Sequence, residues 1–128
     1  VQTCALPIYW MVAELARKGV RVLDVLVCPH HWDDHCRCRK PEPGMFYAAS
    51  AKHRFWLGHT LYVGDDTRDA AAARNAGCGC ALVGDVTDHA STGPVAPHHR
   101  AESILAAVPW IVGRFAAWEA SAAEGAAS

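Results

Sequence analysis

Hydrophobic residues in this chain fall into three short, mostly apolar runs and several stretches with helical spacing. Residues 22–27, 60–63 and 80–83 are runs rich in Val and Leu. Such runs predict strands buried on both faces, as in a parallel sheet. Residues 9–18 place Trp10, Val12, Leu15 and Ala16 at three- and four-residue steps, and Gly19 supplies a stop, which predicts a helix. Residues 44–55 predict a second helix with Met45, Phe46, Ala49 and Phe55 on its apolar side. Residues 67–76 predict a third, alanine-rich helix, capped by Asp66 or Thr67 and ended by Gly77. Residues 101–119 carry Ile104, Leu105, Val108, Trp110, Ile111 and Phe115, and predict one helical segment broken near Pro109. Residues 86–100 are polar, contain His89, His98 and His99, and read as a surface loop with solvated histidines. The tail at 120–128 is expected to be disordered.

Strands alternating with helices predict an α/β fold with a parallel sheet. Ligands in such folds gather at the carboxyl ends of the strands. Two polar segments follow predicted strands, so both are expected on that edge.

The first runs from Cys28 to Pro41. It sets three cysteines and three histidines within eleven residues, then two cations. Cys28, His30, Cys36 and Cys38 are the expected ligands of one Zn²⁺, with His31 and His35 as alternatives to His30. Three thiolates and an imidazole make a closed tetrahedral set, so the zinc would be structural. The competing reading is a polar loop with reduced cysteines and solvated histidines. Arg39 and Lys40 follow the last ligand. A planar guanidinium and a compact ammonium fixed there would suit phosphate oxygens.

The second is Gly64-Asp65-Asp66-Thr67-Arg68-Asp69. A hard cation such as Mg²⁺ takes oxygen ligands, and Asp65 at the strand end is best placed to supply one. Asp69 could serve the metal or hold the loop, and Asp66 could cap the helix.

Composition narrows the function. At 128 residues the chain has the size of one domain, and its formal charge of −1 offers no broad cationic surface for nucleic acid. No apolar run approaches the roughly 20 residues that span a bilayer. Cysteines clustered beside histidines point to metal in a reducing cytoplasm rather than to disulfides. Cys78 and Cys80 border a strand and read as buried thiols, and Trp32 as a shield over the zinc loop. Residues 1–8 resemble the conceptual translation of a sequencing adapter and are set aside as non-native.

The motifs C-P-H-H…C-x-C-R-K-P-x-P-G-M (28–45) and Y-V-G-D-D-x-x-D (62–69) resemble the haloacid-dehalogenase-like phosphatases. Within them they resemble the zinc-containing HAD-IIIA branch that acts on heptose bisphosphate and histidinol phosphate, over residues 9–112. The resemblance implies a Rossmann-like parallel sheet and Mg²⁺-dependent hydrolysis of a phosphomonoester by a monomer. Residues 43–45 favour D-glycero-D-manno-heptose 1,7-bisphosphate, attacked at its 7-phosphate. Histidinol phosphate is the alternative substrate, and a non-catalytic zinc-loop binding module the alternative function. Lys40 would stabilise the transferring phosphate, Arg39, Lys40 and Asp66 would bind substrate, and Asp65, with Asp69 more weakly, would hold Mg²⁺. The nucleophile is implied to be an aspartate in a D-x-D string on the first strand, which this sequence lacks. Residues 9–119 are therefore expected to be the C-terminal part of one phosphatase domain, lacking its first two strands. That gap would leave the chain inactive and poorly folded as it stands.

Overall fold

The structure, a computed structural model, describes residues 2–90, 93 and 95–127, without the side chains of residues 2–4 and 32. Cys4 and the shielding role expected of Trp32 lie outside the described side chains. The chain divides into two compact units, Val1–Asp34 and His35–Ser128.

The first unit is helix α1 (Gln2–Arg17), then chain without regular structure, then a 3-10 turn (Trp32–Asp34). The helix begins ahead of the predicted start and takes Pro7 into its body. Gly19 turns the chain out at φ +80°, the left-handed geometry that glycine tolerates best. Residues 22–27, predicted to be a buried strand, form none. Leu23 and Val27 are 61% and 53% exposed. The prediction rested on apolar content alone. A strand also needs a neighbour to take up its N–H and C=O groups, and among the described residues none pairs with it.

The second unit holds α2 (Gly44–His53), β1 (Leu61–Asp66), α3 (Thr67–Ala76), β2 (Gly79–Thr87), β3 (His99–Ala101) and α4 (Ile104–Ala127). The sheet is parallel, in the order β1-β2-β3. The α/β expectation holds. The third strand comes from a segment read as a loop. His99-Arg-Ala lacks apolar alternation, and is a strand because it pairs with residues 81–83 of β2.

α3 crosses between β1 and β2. Its bounds match the predicted ones because both signals are local: Asp66 accepts from Arg68 N–H at the start, and Gly77 ends the helix at φ +81°. Ala70 to Ala73 are all buried. Methyl side chains let the helix backbone lie close to the sheet. The core joins Ala70, Ala73, Ala76, Cys78, Cys80 and Leu82, with Phe46 and Tyr62 packed against it.

α4 does not break at Pro109 and runs on through the tail to Ala127. A proline removes one backbone hydrogen bond from the helix, and here α4 continues past that loss. Ser103 supports its start: its Oγ accepts from Ala106 N–H at 3.1 Å. No described helix is long and apolar enough to cross a membrane.

Candidate active site and metal loop

Lys40 sits in a closed turn. The Glu42 N–H donates to the Arg39 carbonyl at 2.9 Å, across a cis Lys40–Pro41 peptide. A second bond, from Gly44 N–H to the Arg37 carbonyl at 2.8 Å, closes the wider loop. A Cβ at position 44 would overlap that carbonyl, so only glycine fits where α2 begins. Arg39 is exposed. The Lys40 ammonium turns inward and meets Asp69 Oδ1 at 2.6 Å.

Asp69 is the centre of the arrangement. It lies in the first turn of α3 and is 1% exposed. An isolated carboxylate so deeply buried is costly unless paired and hydrogen-bonded. Both of its oxygens are occupied. Oδ1 takes the Lys40 ion pair and a hydrogen bond from the Tyr62 hydroxyl at 2.9 Å. Oδ2 accepts from the Asp65 backbone N–H at 3.2 Å. A Cβ at Gly64 would overlap the Asp69 side chain, so the glycine makes room for the carboxylate. Burial, and then the charge of Asp69, raise the Tyr62 pKa and keep the phenol protonated as a donor. Asp65 itself is exposed, where the β1–β2 register shifts between Gly64 and Asp66. An exposed carboxylate at a strand end suits a hard cation that keeps several waters.

Asp66 caps α3 and is buried. The Arg68 Nε donates to both of its oxygens at 3.1 Å, and Nη2 approaches Oδ2 at 2.6 Å. His89 Nε2 lies 3.0 Å from the same Oδ2, and the His89 N–H donates to Thr67 Oγ1 at 2.9 Å. Hydrogen bonds from Arg68 hold the Asp66 carboxyl well below the usual carboxylate range, against its burial. Its capping role is therefore the one seen. His89, expected to be solvated, is half-buried in this pair. His98 and His99 are engaged too. His98 Nδ1 accepts from Cys80 N–H at 3.1 Å, and the His99 ring stacks on Trp110 with centroids 5.0 Å apart. Nothing in the sequence around these histidines signalled their partners, which come from other elements.

Cys28, His30, Cys36 and Cys38 form a group that could hold a metal ion, and three thiols with an imidazole are a donor set that suits zinc. The three thiols are half-buried and the imidazole is exposed. Of the alternative nitrogen ligands, His31 is engaged elsewhere. The His31 N–H donates to Asp34 Oδ2 at 2.7 Å, and its Nδ1 accepts from the Asp33 N–H at 3.3 Å. His35 is exposed, with φ +47°. Cys78 and Cys80 are buried free thiols, as expected, and burial pushes the Cys80 thiol up to about 11.

The profile of the HAD-hydrolase-like family matches residues 37–107, which include Arg39, Lys40, Asp65, Asp66 and Asp69. Over 69 residues the chain is 44% identical to the D-glycero-beta-D-manno-heptose-1,7-bisphosphate 7-phosphatase of Bordetella bronchiseptica, covering 54% of this chain and 38% of that protein. It is 37% identical over 75 residues to the D-glycero-alpha-D-manno-heptose-1,7-bisphosphate 7-phosphatase of Photorhabdus laumondii, covering 53% and 41%. A crystal structure of the B. bronchiseptica D,D-heptose 1,7-bisphosphate phosphatase with magnesium and phosphate matches at a TM-score of 0.67 and 34% identity. That match covers 80% of this chain and 59% of the other. The chain thus spans about two fifths of the length of these curated relatives.

Two outcomes follow from the geometry. The chain is expected to bind one zinc ion, and Cys36→Ser to weaken binding by at least about 100-fold, more than outer-shell changes at metal sites do. Competition with a chromophoric chelator measures this, and unchanged affinity would remove Cys36 from the ligand set. Asp66, with its folded pKa depressed, contributes stability that is full above the ordinary value of about 3.9. That contribution is lost as pH falls below it. Melting followed by circular dichroism should therefore show a larger drop between pH 7 and pH 3 in the native chain than in Asp66→Asn, which keeps a capping side chain.

Proposed function

The chain belongs to the HAD-hydrolase-like family, and on that footing we propose that its site serves Mg²⁺-dependent hydrolysis of a phosphorylated sugar. The substrate we propose is D-glycero-D-manno-heptose 1,7-bisphosphate, cleaved at its 7-phosphate. The observation that carries this reading is the buried Asp69 carboxylate, which ties Lys40 on one oxygen and the Asp65 backbone on the other. A cation suited to phosphate and a carboxylate suited to magnesium thus share one anchor.

Each residue then has a task. Lys40 gives one direction of its ammonium to Asp69 and keeps further N–H donors for phosphate oxygens. Arg39, exposed beside it, offers a planar fork to the substrate. Asp65 holds Mg²⁺, and Asp69 positions both groups rather than binding the metal itself. Magnesium, when bound, offsets negative charge on the phosphoryl oxygens. Asp66 acts by ordering the first turn of α3. Zinc held by Cys28, His30, Cys36 and Cys38 would fix the backbone that leads into Arg39 and Lys40. These residues bind, orient and neutralise. The nucleophilic aspartate implied by the family resemblance is not among them, since the sequence contains no D-x-D string. The relatives' names support a heptose bisphosphate, and cysteines clustered beside histidines support a reducing cytoplasm.

A chimera tests the reading: the B. bronchiseptica phosphatase with its matching segment replaced by residues 28–107 of this chain. It should release phosphate from heptose 1,7-bisphosphate only with Mg²⁺, and far less from histidinol phosphate. Lys40→Met should lower its kcat by about 10²–10³, the scale of losing one preorganised electrostatic contact. A folded chimera that prefers histidinol phosphate, or is indifferent to Lys40→Met, would refute the proposal.

A further inference from the structure

Lys40 is gripped at two points by α3 and its neighbours. The first grip is on the ammonium. Asp69 Oδ1 receives both Lys40 Nζ, at 2.6 Å, and the Tyr62 hydroxyl, at 2.9 Å. The phenol therefore fixes the rotation of the carboxylate that holds the lysine. Tyr62 is itself set from the side by Phe46 on α2, edge-on with ring centroids 4.9 Å apart.

The second grip is on the backbone of the turn. Asn75 Nδ2 donates to the Pro41 carbonyl at 3.0 Å, one residue past Lys40. Asn75 stands in the last turn of α3, where carbonyls lack helical partners. Its own carbonyl is taken by the Tyr47 hydroxyl of α2 at 3.1 Å. Asp69 and Asn75 are six residues apart on one helix, about 9 Å along its axis. A rigid helix thus holds the lysine's charge at one end and the lysine's backbone at the other.

We infer that Tyr62 and Asn75 are positioning residues for Lys40. Tyr62 acts through Asp69 and Asn75 through the Pro41 carbonyl. Neither is a catalytic residue, since each acts on Lys40 through another group. The consequence for phosphate binding rests on the phosphatase reading above, whereas the grip on Lys40 does not.

The chain has only three lysines, Lys18, Lys40 and Lys52, and this makes the test direct. Competitive acylation of the 128-residue chain, read by mass spectrometry, compares Lys40 with the exposed Lys18 and Lys52. In the native chain Lys40 should label more slowly than both. Tyr62→Phe and Asn75→Ala should each raise the Lys40 rate about fivefold, the scale of one lost hydrogen bond, and leave the other two unchanged. A merely structural role would raise all three together or none. If Tyr62→Phe raises all three alike, Asn75→Ala decides, because Asn75 is exposed and its loss is tolerated by the core. No selective rise at Lys40 in Asn75→Ala, or native Lys40 labelling as fast as Lys18, overturns the inference. Adding Mg²⁺ and inorganic phosphate to the same assay on the chimeric phosphatase separates the two readings. If phosphate gives no protection while the selective effects persist, the phosphatase reading falls and the positioning stands.

Discussion

One buried carboxylate organises the working face of this chain. Asp69 lies under the sheet edge with almost no solvent contact. A charge in that position needs a counter-charge and filled hydrogen-bonding sites. Lys40, Tyr62 and the Asp65 N–H supply them. Several otherwise separate features follow from that need. Gly64 has no side chain because the carboxylate occupies its space. Lys40 faces inward while Arg39, next to it, faces solvent. The acidic turn and the cationic turn, far apart in sequence, meet at one side chain.

The cationic turn is also constrained from its own side. Hydrogen bonds from Glu42 to Arg39 and from Gly44 to Arg37 close it, and the candidate zinc ligands end at Cys38, two residues before Lys40. Together these leave Lys40 little freedom even before its ammonium is paired. The acidic turn gains its order differently, through the Asp66 cap and the Arg68 and His89 partners drawn to it. The two turns therefore depend on distinct interactions, with Asp69 as the link.

What could be read from the sequence was what depends on neighbours in sequence. The four candidate zinc ligands lie within eleven residues, so their spacing carried the signal. The bounds of α3 were legible because Asp66 and Gly77 act on adjacent backbone. Lys40 and Asp69 were legible as residues but not as a pair, since 29 positions separate them and only the fold brings them together. Asn75 gave no signal at all, and Tyr62, although it opens the Y-V-G-D-D-x-x-D motif, gave none of its bond to Asp69. A tyrosine in an apolar strand and an asparagine near a helix end both have commonplace readings. The expected strand at 22–27 failed, and the unexpected β3 succeeded, for one reason: strands are made by partners, and β3 has one in β2.

The account stands on the coupling between Lys40 and Asp69, and a double-mutant cycle measures it. Lys40→Met, Asp69→Asn and the double variant would be unfolded in urea within the chimeric phosphatase. With Lys40 32% and Asp69 2% exposed at their side chains, the single losses should be non-additive by about 1–2 kcal/mol, less than for a fully buried pair. Additivity within about 0.5 kcal/mol would mean that the two groups do not hold one another, and would contradict the account.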